Sequence, residues 1–420
     1  MNIIHFSTYD RGGAAQAAYK FHSNLVTSRH KSIFFVMYKA SKDNNIIAPK
    51  KKIFSDILKI KNRLKISFGI YKKKYSFYNE EFNNTMDYSF YKNQINFKPD
   101  AIVLHWVTEF VDLQVIKKLQ KTYNIPVFWY LMDMAPMTGG CHYAWDCNGY
   151  KTDCKNCPAV TWPYNSFPSK VLQYKQNLIQ DMDIKLLAGT TWLKQQLEES
   201  TLFQNKPIYD LMLGIDSTIF KPVNQDDQQA LRKKFHINES YKIIFFGASK
   251  VSDERKGFLY LLKALKILSD DTTFVKNNIA IVTAGHMTDT TLFDNIKIKH
   301  YHLGYLNGNT ELASAYQLAD VFVSSSIEDS GPMMINESMM CGTPVVAFNM
   351  GVASDLIINN KTGYIAEIQN SSDLAYGIKL IIEKDPTEYK KISATCRNYA
   401  LEKTSDEVQL QKFTKIMETL

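Results

Sequence analysis

Short apolar runs recur along the chain, with helical segments between many of them. Ile3–Phe6, Ser32–Met37, Ala101–His105, Val127–Leu131 and Lys185–Ala188 read as strands in the first half. Ile243–Phe246, Ile279–Thr283, His300–Leu303, Val321–Val323 and Val345–Phe348 follow in the second. Strands alternating with helices predict a mostly parallel sheet in each half, the α/β class. The 420 residues suffice for two domains of about 200 residues each. We place the division at 1–206 and 207–404, with residues 405–420 as a helix returning to the first domain.

The stretch Val321–Phe348 carries the strongest chemical signal. A strand (VFV) is followed by small hydroxyl residues and acids, then Gly331 and Pro332, a helical segment with Glu337, and the turn Cys341-Gly342-Thr343-Pro344 opening another strand. Unpaired N–H groups and the helix dipole favour an anion such as phosphate at such a helix start. Pro332 suits a first helical position, where no N–H is needed. A second basic constellation, Arg255-Lys256-Gly257, follows the strand ending Phe246-Gly247-Ala248. Cations are disfavoured at a helix start unless an anion is present. Gly12-Gly13 follows the first strand and opens an Ala-rich helix; it reads equally as a tight turn or as a loop approached by a ligand. His105 ends a strand, at the end where α/β proteins bind their ligands.

Charge and composition narrow the picture. The net charge is +8, but Lys50–Lys74 alone holds ten basic residues and one acid. Such a local patch points to a partner surface, not to nucleic acid. Within it Ile53, Ile57, Ile60 and Leu64 recur on one helix face, flanked by Lys59, Lys61, Arg63 and Lys65. That pattern fits a helix lying in an anionic membrane interface and equally a helix packed onto the first domain. No apolar run reaches the ~18 residues of a membrane span, and the N-terminus lacks the pattern of a signal peptide, so a cytoplasmic protein is expected. Four of the six cysteines, Cys141, Cys147, Cys154 and Cys157, form C-x5-C-x6-C-x2-C. They read either as one structural zinc site or as free buried thiols.

Asp329 and Glu337 are eight apart, and with the CGTPVV that follows they resemble the acid-x7-acid motif of family 4 retaining glycosyltransferases. Leu213–Pro222 is similar to the interdomain connection of that family. The run from Trp129 through Asp133 to Cys141-His142-Tyr143 resembles bacterial members of exopolysaccharide assembly, of the colanic acid type, with Met132 where they usually carry His. The resemblance implies the GT-B fold, two Rossmann-like domains facing each other across a cleft, the first binding acceptor and the second a nucleotide-diphosphate sugar. Lys256 and Arg255 would hold the donor diphosphate, with Gly247, Ser330, Gly331, Met333 and Met334 beside it. Glu337 would bind the ribose and Asp329 the donor sugar. Gly12, Gly13, His105, Asp133 and His142 would line the acceptor side, with His105 and Asp133 also candidates for catalysis. The acceptor would be a saccharide, lipid-linked, and the product a surface polysaccharide. No metal is expected in the chemistry: the only D-x-D triplet, Asp181-Met182-Asp183, precedes its strand instead of following it. Met132, and Ala248 where the family carries Arg, leave a second expectation, an impaired pseudoenzyme that binds sugar or serves as a partner subunit.

Overall fold

The computed structural model describes the chain except residues 50–52, 78–85, 277, 288, 290 and 332. Pro332 and Lys50, Lys51 and Lys52 therefore lie outside the described residues, as do the side chains of Ile53 and Lys59. The chain forms two compact units, residues 1–212 with 410–420, and residues 213–409.

In the first unit the chain runs β1 (Asn2–Tyr9), α1 (Gly13–Thr27), β2 (Lys31–Tyr38), β3 (Ile46–Ile47), α2 (Ile53–Ser67), α3 (Tyr88–Gln94), β4 (Ala101–Leu104), α4 (Leu113–Tyr123), β5 (Val127–Leu131), α5 (Phe167–Ile179), β6 (Ile184–Ala188), α6 (Thr191–Glu199) and β7 (Ile208–Asp210). Among the described residues these strands make one parallel sheet in the order β3-β2-β1-β4-β5-β6-β7. The order reverses between β1 and β4, which opens a crevice at their carboxyl ends. Helix ends are set locally: Asp112 caps α4 through the Gln114 N–H, and Asn124 ends it in the left-handed conformation. Thr190 caps α6 through Leu193 N–H. The core holds Ile4, Phe6, Phe35, Ile102, Leu104 and Trp129.

The second unit runs α7 (Gln225–Lys234), β8 (Lys242–Lys250), α8 (Phe258–Asp270), α9 (Thr272–Val275), β9 (Ile279–His286), β10 (Lys299–His302), α10 (Asn309–Gln317), β11 (Val321–Ser324), α11 (Met333–Met340), β12 (Val345–Phe348), α12 (Ala353–Leu356), β13 (Gly363–Ala366), α13 (Ser371–Ile382) and α14 (Pro386–Thr404). Its parallel sheet has the order β10-β9-β8-β11-β12-β13, reversing between β8 and β11. Buried Phe258, Leu261, Leu265 and Leu268 give α8 one apolar stripe. At the sheet's amino end Arg232 donates to Asp320 Oδ2 at 2.9 Å and to the Leu318 carbonyl at 3.0–3.1 Å, while Asp320 Oδ2 accepts Ile243 N–H at 2.7 Å. The last helix, α15 (Asp406–Glu418), carries residues of both groups, and its Phe413 packs on Phe21 and Phe128 of the first unit.

All ten strands read from the sequence are present, and among the described residues three further ones were not foreseen. β3 is two residues long and β7 three. β13 begins at Gly363, whose Cβ would stand 1.8 Å from the Val345 carbonyl oxygen, so glycine is required where the two backbones meet.

Candidate functional site

The carboxyl ends of β8 and β11 bring the basic pair and Asp329 together. Asp253 opens a short 3-10 turn, accepting from Arg255 N–H, and the turn places Lys256 just ahead of α8. Gly257 closes it at φ 62°, and a Cβ there would lie 1.9 Å from the Ser325 carbonyl oxygen. Ile327 N–H donates to the Arg255 carbonyl at 2.8 Å and Ser325 Oγ to that of Lys256 at 3.0 Å. The turn and the loop after β11 are thus joined by backbone contacts. Lys256 Nζ meets Asp329 Oδ2 at 2.5 Å.

Asp329 is buried, and burial pushes its carboxyl up. Lys256, Arg255 and the Gly331 N–H, which donates to Oδ1 at 3.2 Å, outweigh that and hold it below the usual carboxylate range. Arg255 also donates to Asp253 at 2.6 Å. The loop after β12 closes over the same backbone: Gly351, at φ 58°, has room for no Cβ because the Asp329 carbonyl lies 2.8 Å away. Gly247, on β8, abuts Met334, whose Cε would be 2.4 Å from a Cβ there. Met333 and Met334 begin α11 half-buried, and Ser330 is buried.

One turn into α11, Glu337 is 3% exposed and accepts from the Tyr316 hydroxyl at 2.9 Å. Burial and then the Glu337 carboxylate push the Tyr316 phenol well above its ordinary value, so it stays a neutral donor. Sequence reasoning missed Tyr316, because nothing in its own helix marks it; its partner is 21 residues on. The ends of β8 and β11 therefore gather Lys256, Arg255, Asp329, Ser330 and Gly331, with the start of α11 against Gly247.

In the first unit Gly12 and Gly13 have φ values of 82° and 37°, and a Cβ on either would meet nothing within 4 Å. The loop is open and exposed at the start of α1. Past β4 and β5, Asp133 and His142 form a buried pair: His142 Nδ1 lies 2.5 Å from Asp133 Oδ2. Trp106 Nε1–H donates to the same oxygen at 2.9 Å, and Ala135 N–H to Oδ1 at 3.0 Å. A carboxylate on Nδ1 assigns that nitrogen the proton and leaves Nε2, 3.5 Å from Thr108 Oγ1, as the acceptor. The loop between them is pinned by buried Lys175, which donates to the carbonyls of Ala135 and Thr138 at 2.9 and 3.1 Å. Lys175 was also unforeseen, because a lysine on an otherwise ordinary helix reads as solvated.

His105 does not join them. Its ring is 2% exposed and meets His5 at 2.9 Å, with Phe21, Phe34 and Tyr130 around it. Burial and then His22 lower it to about 3, so it is neutral. The strand end that the sequence placed at a cleft turns this side chain into the core instead.

The cysteines converge. Cys141, Cys147, Cys154 and Cys157 line one small cavity with Phe77 and Tyr150, and all four are free thiols. Gly149 N–H donates to Cys147 Sγ at 3.4 Å. Burial pushes Cys154 up to about 12 and raises Cys141 and Cys157, while backbone groups of Gly139 at Cys154, and of Ala159 and Val160 at Cys157, pull the other way. Among the described residues no group of three His, Cys, Asp or Glu side chains is already arranged to hold an ion. Among the same residues no helix is long and apolar enough to cross a membrane.

Two parallel α/β units, each with a reversal of strand order, define the GT-B class of glycosyltransferase folds. Residues 227–401 match the family model of "Glycosyl transferases group 1". Over its full length the chain is similar in fold to Anabaena HepE, solved in complex with UDP-glucose, at a TM-score of 0.65 and 14% identity, covering 100% of both chains. A glycosyltransferase from Rickettsia africae is similar at a TM-score of 0.66 and 16% identity, covering 100% of this chain and 98% of that one. In sequence, the chain is 23% identical to the lipopolysaccharide 1,2-N-acetylglucosaminetransferase of Salmonella typhimurium over 270 residues, 59% of this chain and 67% of the relative. A glycosyltransferase of Methanocaldococcus jannaschii is 27% identical over 158 residues, 36% of this chain and 38% of the relative. The chain spans only 38–49% of the length of this and two other curated relatives.

Proposed function

We propose that this protein is a retaining glycosyltransferase that moves a sugar from a nucleotide-diphosphate sugar to a saccharide acceptor, lipid-linked, in surface polysaccharide assembly on the cytoplasmic side of a membrane. The observation that carries the reading is the joining of Lys256 to Asp329 at the switch point of the second sheet, beside the start of α11. An incoming diphosphate would take over the Lys256 ammonium, with Arg255 adding charge and the N–H groups of Gly331, Met333 and Met334 contributing donors. Asp329, released from Lys256, would accept from the donor sugar, and Glu337, oriented by Tyr316, from the ribose. The acceptor hydroxyl would attack from the face the diphosphate leaves, and the departing phosphate would take its proton. Every charge needed for this is a fixed side chain or backbone dipole, so no divalent cation is required.

On the acceptor side Gly12, Gly13, Asp133 and His142 are the residues this reading uses. Asp133 holds an imidazole on His142, and that imidazole is the candidate to stand in for the one Met132 lacks.

The test is transfer and slow donor hydrolysis by the full chain, with UDP-sugars tried first because HepE was solved with UDP and UDP-glucose. Lys256→Ala and Glu337→Ala should each lower turnover by about 10²–10³ with the fold retained, and the product anomer read by NMR should match the donor. Near-normal turnover by both variants, or an inverted product, would overturn the reading. Nucleotide binding with no turnover on any donor would favour the pseudoenzyme.

The four cysteines are proposed to hold one structural zinc. Their convergence on one cavity, and the backbone donors at Cys147, Cys154 and Cys157, support it. The thiols would rotate onto the ion and release their protons, since burial keeps Cys141, Cys154 and Cys157 protonated without it. Elemental analysis of protein purified without a metal-binding tag should find about one zinc per chain. No metal, with all four thiols titrating freely, would assign them as plain buried cysteines.

A further inference from the structure

Helix α2 turns its apolar row outward. Ile57, Ile60 and Leu64 are 44%, 56% and 49% exposed, and Phe68, one turn further on, is 76% exposed. Their spacing of three, four and four puts them on one side of the helix. Away from that side, Ile66 in the last turn of α2, and Ile70 and Tyr75 in the chain that follows it, pack against Tyr71, Phe77, Cys141 and Val160. The exposed row is therefore not the face that attaches the helix to its own unit.

A second segment, distant in sequence, extends this surface. Trp162 is 84% exposed and Tyr164 54%, the former the most exposed of the large apolar side chains described. Thr161 N–H donates to the Ile70 carbonyl at 3.0 Å, Lys72 N–H donates to that of Ala159 at 2.9 Å, and Tyr71 bridges Val160. These pairings set Trp162 and Tyr164 beside the chain that leaves α2. Around them Lys61, Arg63, Lys72, Lys73 and Lys74 are exposed, and residues 57–77 contain no Asp or Glu.

We infer that α2 and the Trp162–Tyr164 turn form one surface that lies in the interface of an anionic membrane. Ile57, Ile60, Leu64 and Phe68 would enter the acyl boundary. Trp162 and Tyr164 have the amphipathic rings that settle at headgroup level. The lysines and Arg63 would meet anionic headgroups, an attraction confined to about a Debye length of the surface. The excess of positive charge around the apolar row, in a stretch of residues 57–77 without Asp or Glu, is what selects an anionic bilayer over another apolar protein face. The inference stands on this surface alone and does not depend on the glycosyltransferase reading.

The test is co-sedimentation of the full chain with phosphatidylcholine vesicles, with and without roughly 30% phosphatidylglycerol, at about 0.05 M and 0.5 M salt. Binding is expected with phosphatidylglycerol at low salt, at least tenfold weaker to phosphatidylcholine alone, and lost at high salt. Lipids brominated near the headgroup should quench a fluorescence component that Trp162→Phe removes. Ile60→Glu with Leu64→Glu should weaken binding at least tenfold with unchanged thermal stability, since both side chains are exposed. Lys61→Gln, Arg63→Gln, Lys72→Gln and Lys73→Gln together should abolish the preference for anionic lipid. No binding to anionic vesicles at low salt would overturn the inference. Binding that is indifferent to the two Glu substitutions and leaves Trp162 unquenched would overturn it too. A dimer that the Glu substitutions dissociate, without vesicle binding, would make the surface a protein interface instead.

Discussion

The two sheets have the same kind of reversal, yet they treat ionisable groups at that point in opposite ways. Between β8 and β11 the second unit sets a cation against an acid, Lys256 against Asp329, and backbone contacts through Gly257, Ser325 and Ile327 hold them there. Between β1 and β4 the first unit buries two histidines face to face, His5 and His105, with ring centroids 5.2 Å apart. His22 lies in the same cluster, 5.8 Å from His5. At the second unit's reversal charge is kept and compensated; at the His5–His105 pair of the first it is excluded. A strand end facing a crevice is therefore not enough to make a residue available for chemistry. What decides is whether its side chain leaves the sheet toward the loops or toward the covering helix.

The largest effect should come from breaking the compensation. At the amino end of the second unit's sheet, Arg232→Ala would remove the closer and more buried of Asp320's two cations, leaving only Lys242 at 3.5 Å, at a cost of about 3–5 kcal/mol, measured by chemical unfolding. The first unit has nothing equivalent at His5 and His105, which are already neutral.

Gly257→Ala comes next. The added Cβ would press on the Ser325 carbonyl from a left-handed backbone, and a loss of about 3 kcal/mol is expected. Amides of β8 and β11 should exchange faster with solvent, while those of β1 and β4 keep their protection. Uniform loss across both sheets would mean that the joint is not local.

Acid separates the two reversals by pH. His22 falls to about 4 and His105 to about 3, both first by burial, while Asp43 opposes the fall at His22. Each is protonated in the unfolded chain at about 6.5. Their contribution is thus whole above about pH 6.5 and is lost as pH falls toward the folded values, with a slope of up to about 1.4 kcal/mol per pH unit for each. Asp329 is also depressed, but its contribution is whole above the unfolded carboxylate value of about 3.9 and is lost only below it. In the second unit His300, lowered to about 4 by burial and then His302, and His302, also lowered by burial, sit on the edge strand β10. Hydrogen exchange between pH 7 and 4.5 should therefore loosen β1, β4 and β10 before β8 and β11. The reverse order would break the comparison.

The smallest effect sharpens it. His105→Phe keeps an aromatic ring in the cluster and removes one titrating group, leaving His5 Nδ1 without its partner. A cost of about 1–2 kcal/mol is expected, with a shallower acid slope and unchanged turnover of any donor that the protein uses. A fall in turnover of 10² or more would return His105 to the catalytic groups.

The strands and their parallel order were legible because runs such as Ala101–Leu104 and Val345–Phe348 are buried along their whole length and leave an unbroken apolar signature. The position of Lys256, Asp329 and Glu337 on loops and a helix start beside those strands was legible from local pattern; the roles given to them rest on resemblance. β7 was not, since a three-residue edge strand of half-exposed side chains has no pattern to detect. Tyr316 and Lys175 were not, since each is defined by a partner that is remote in the chain, Glu337 and the Ala135 and Thr138 carbonyls.

The sequence by itself determined the alternation of strand and helix, the residues at each loop, and the concentration of basic charge in residues 50–74. These depend on short-range periodicity and composition, which the chain carries wherever it goes. Only the tertiary structure decided which way those residues face. It turned His105 into the core, brought four cysteines separated by up to sixteen positions onto one cavity, and set Trp162 beside Ile70. It also decided that the apolar row of α2 points outward, where periodicity allowed either side. The reason is the same in each case: local pattern fixes the element, but the partner that buries or exposes a side chain arrives from a distant part of the chain.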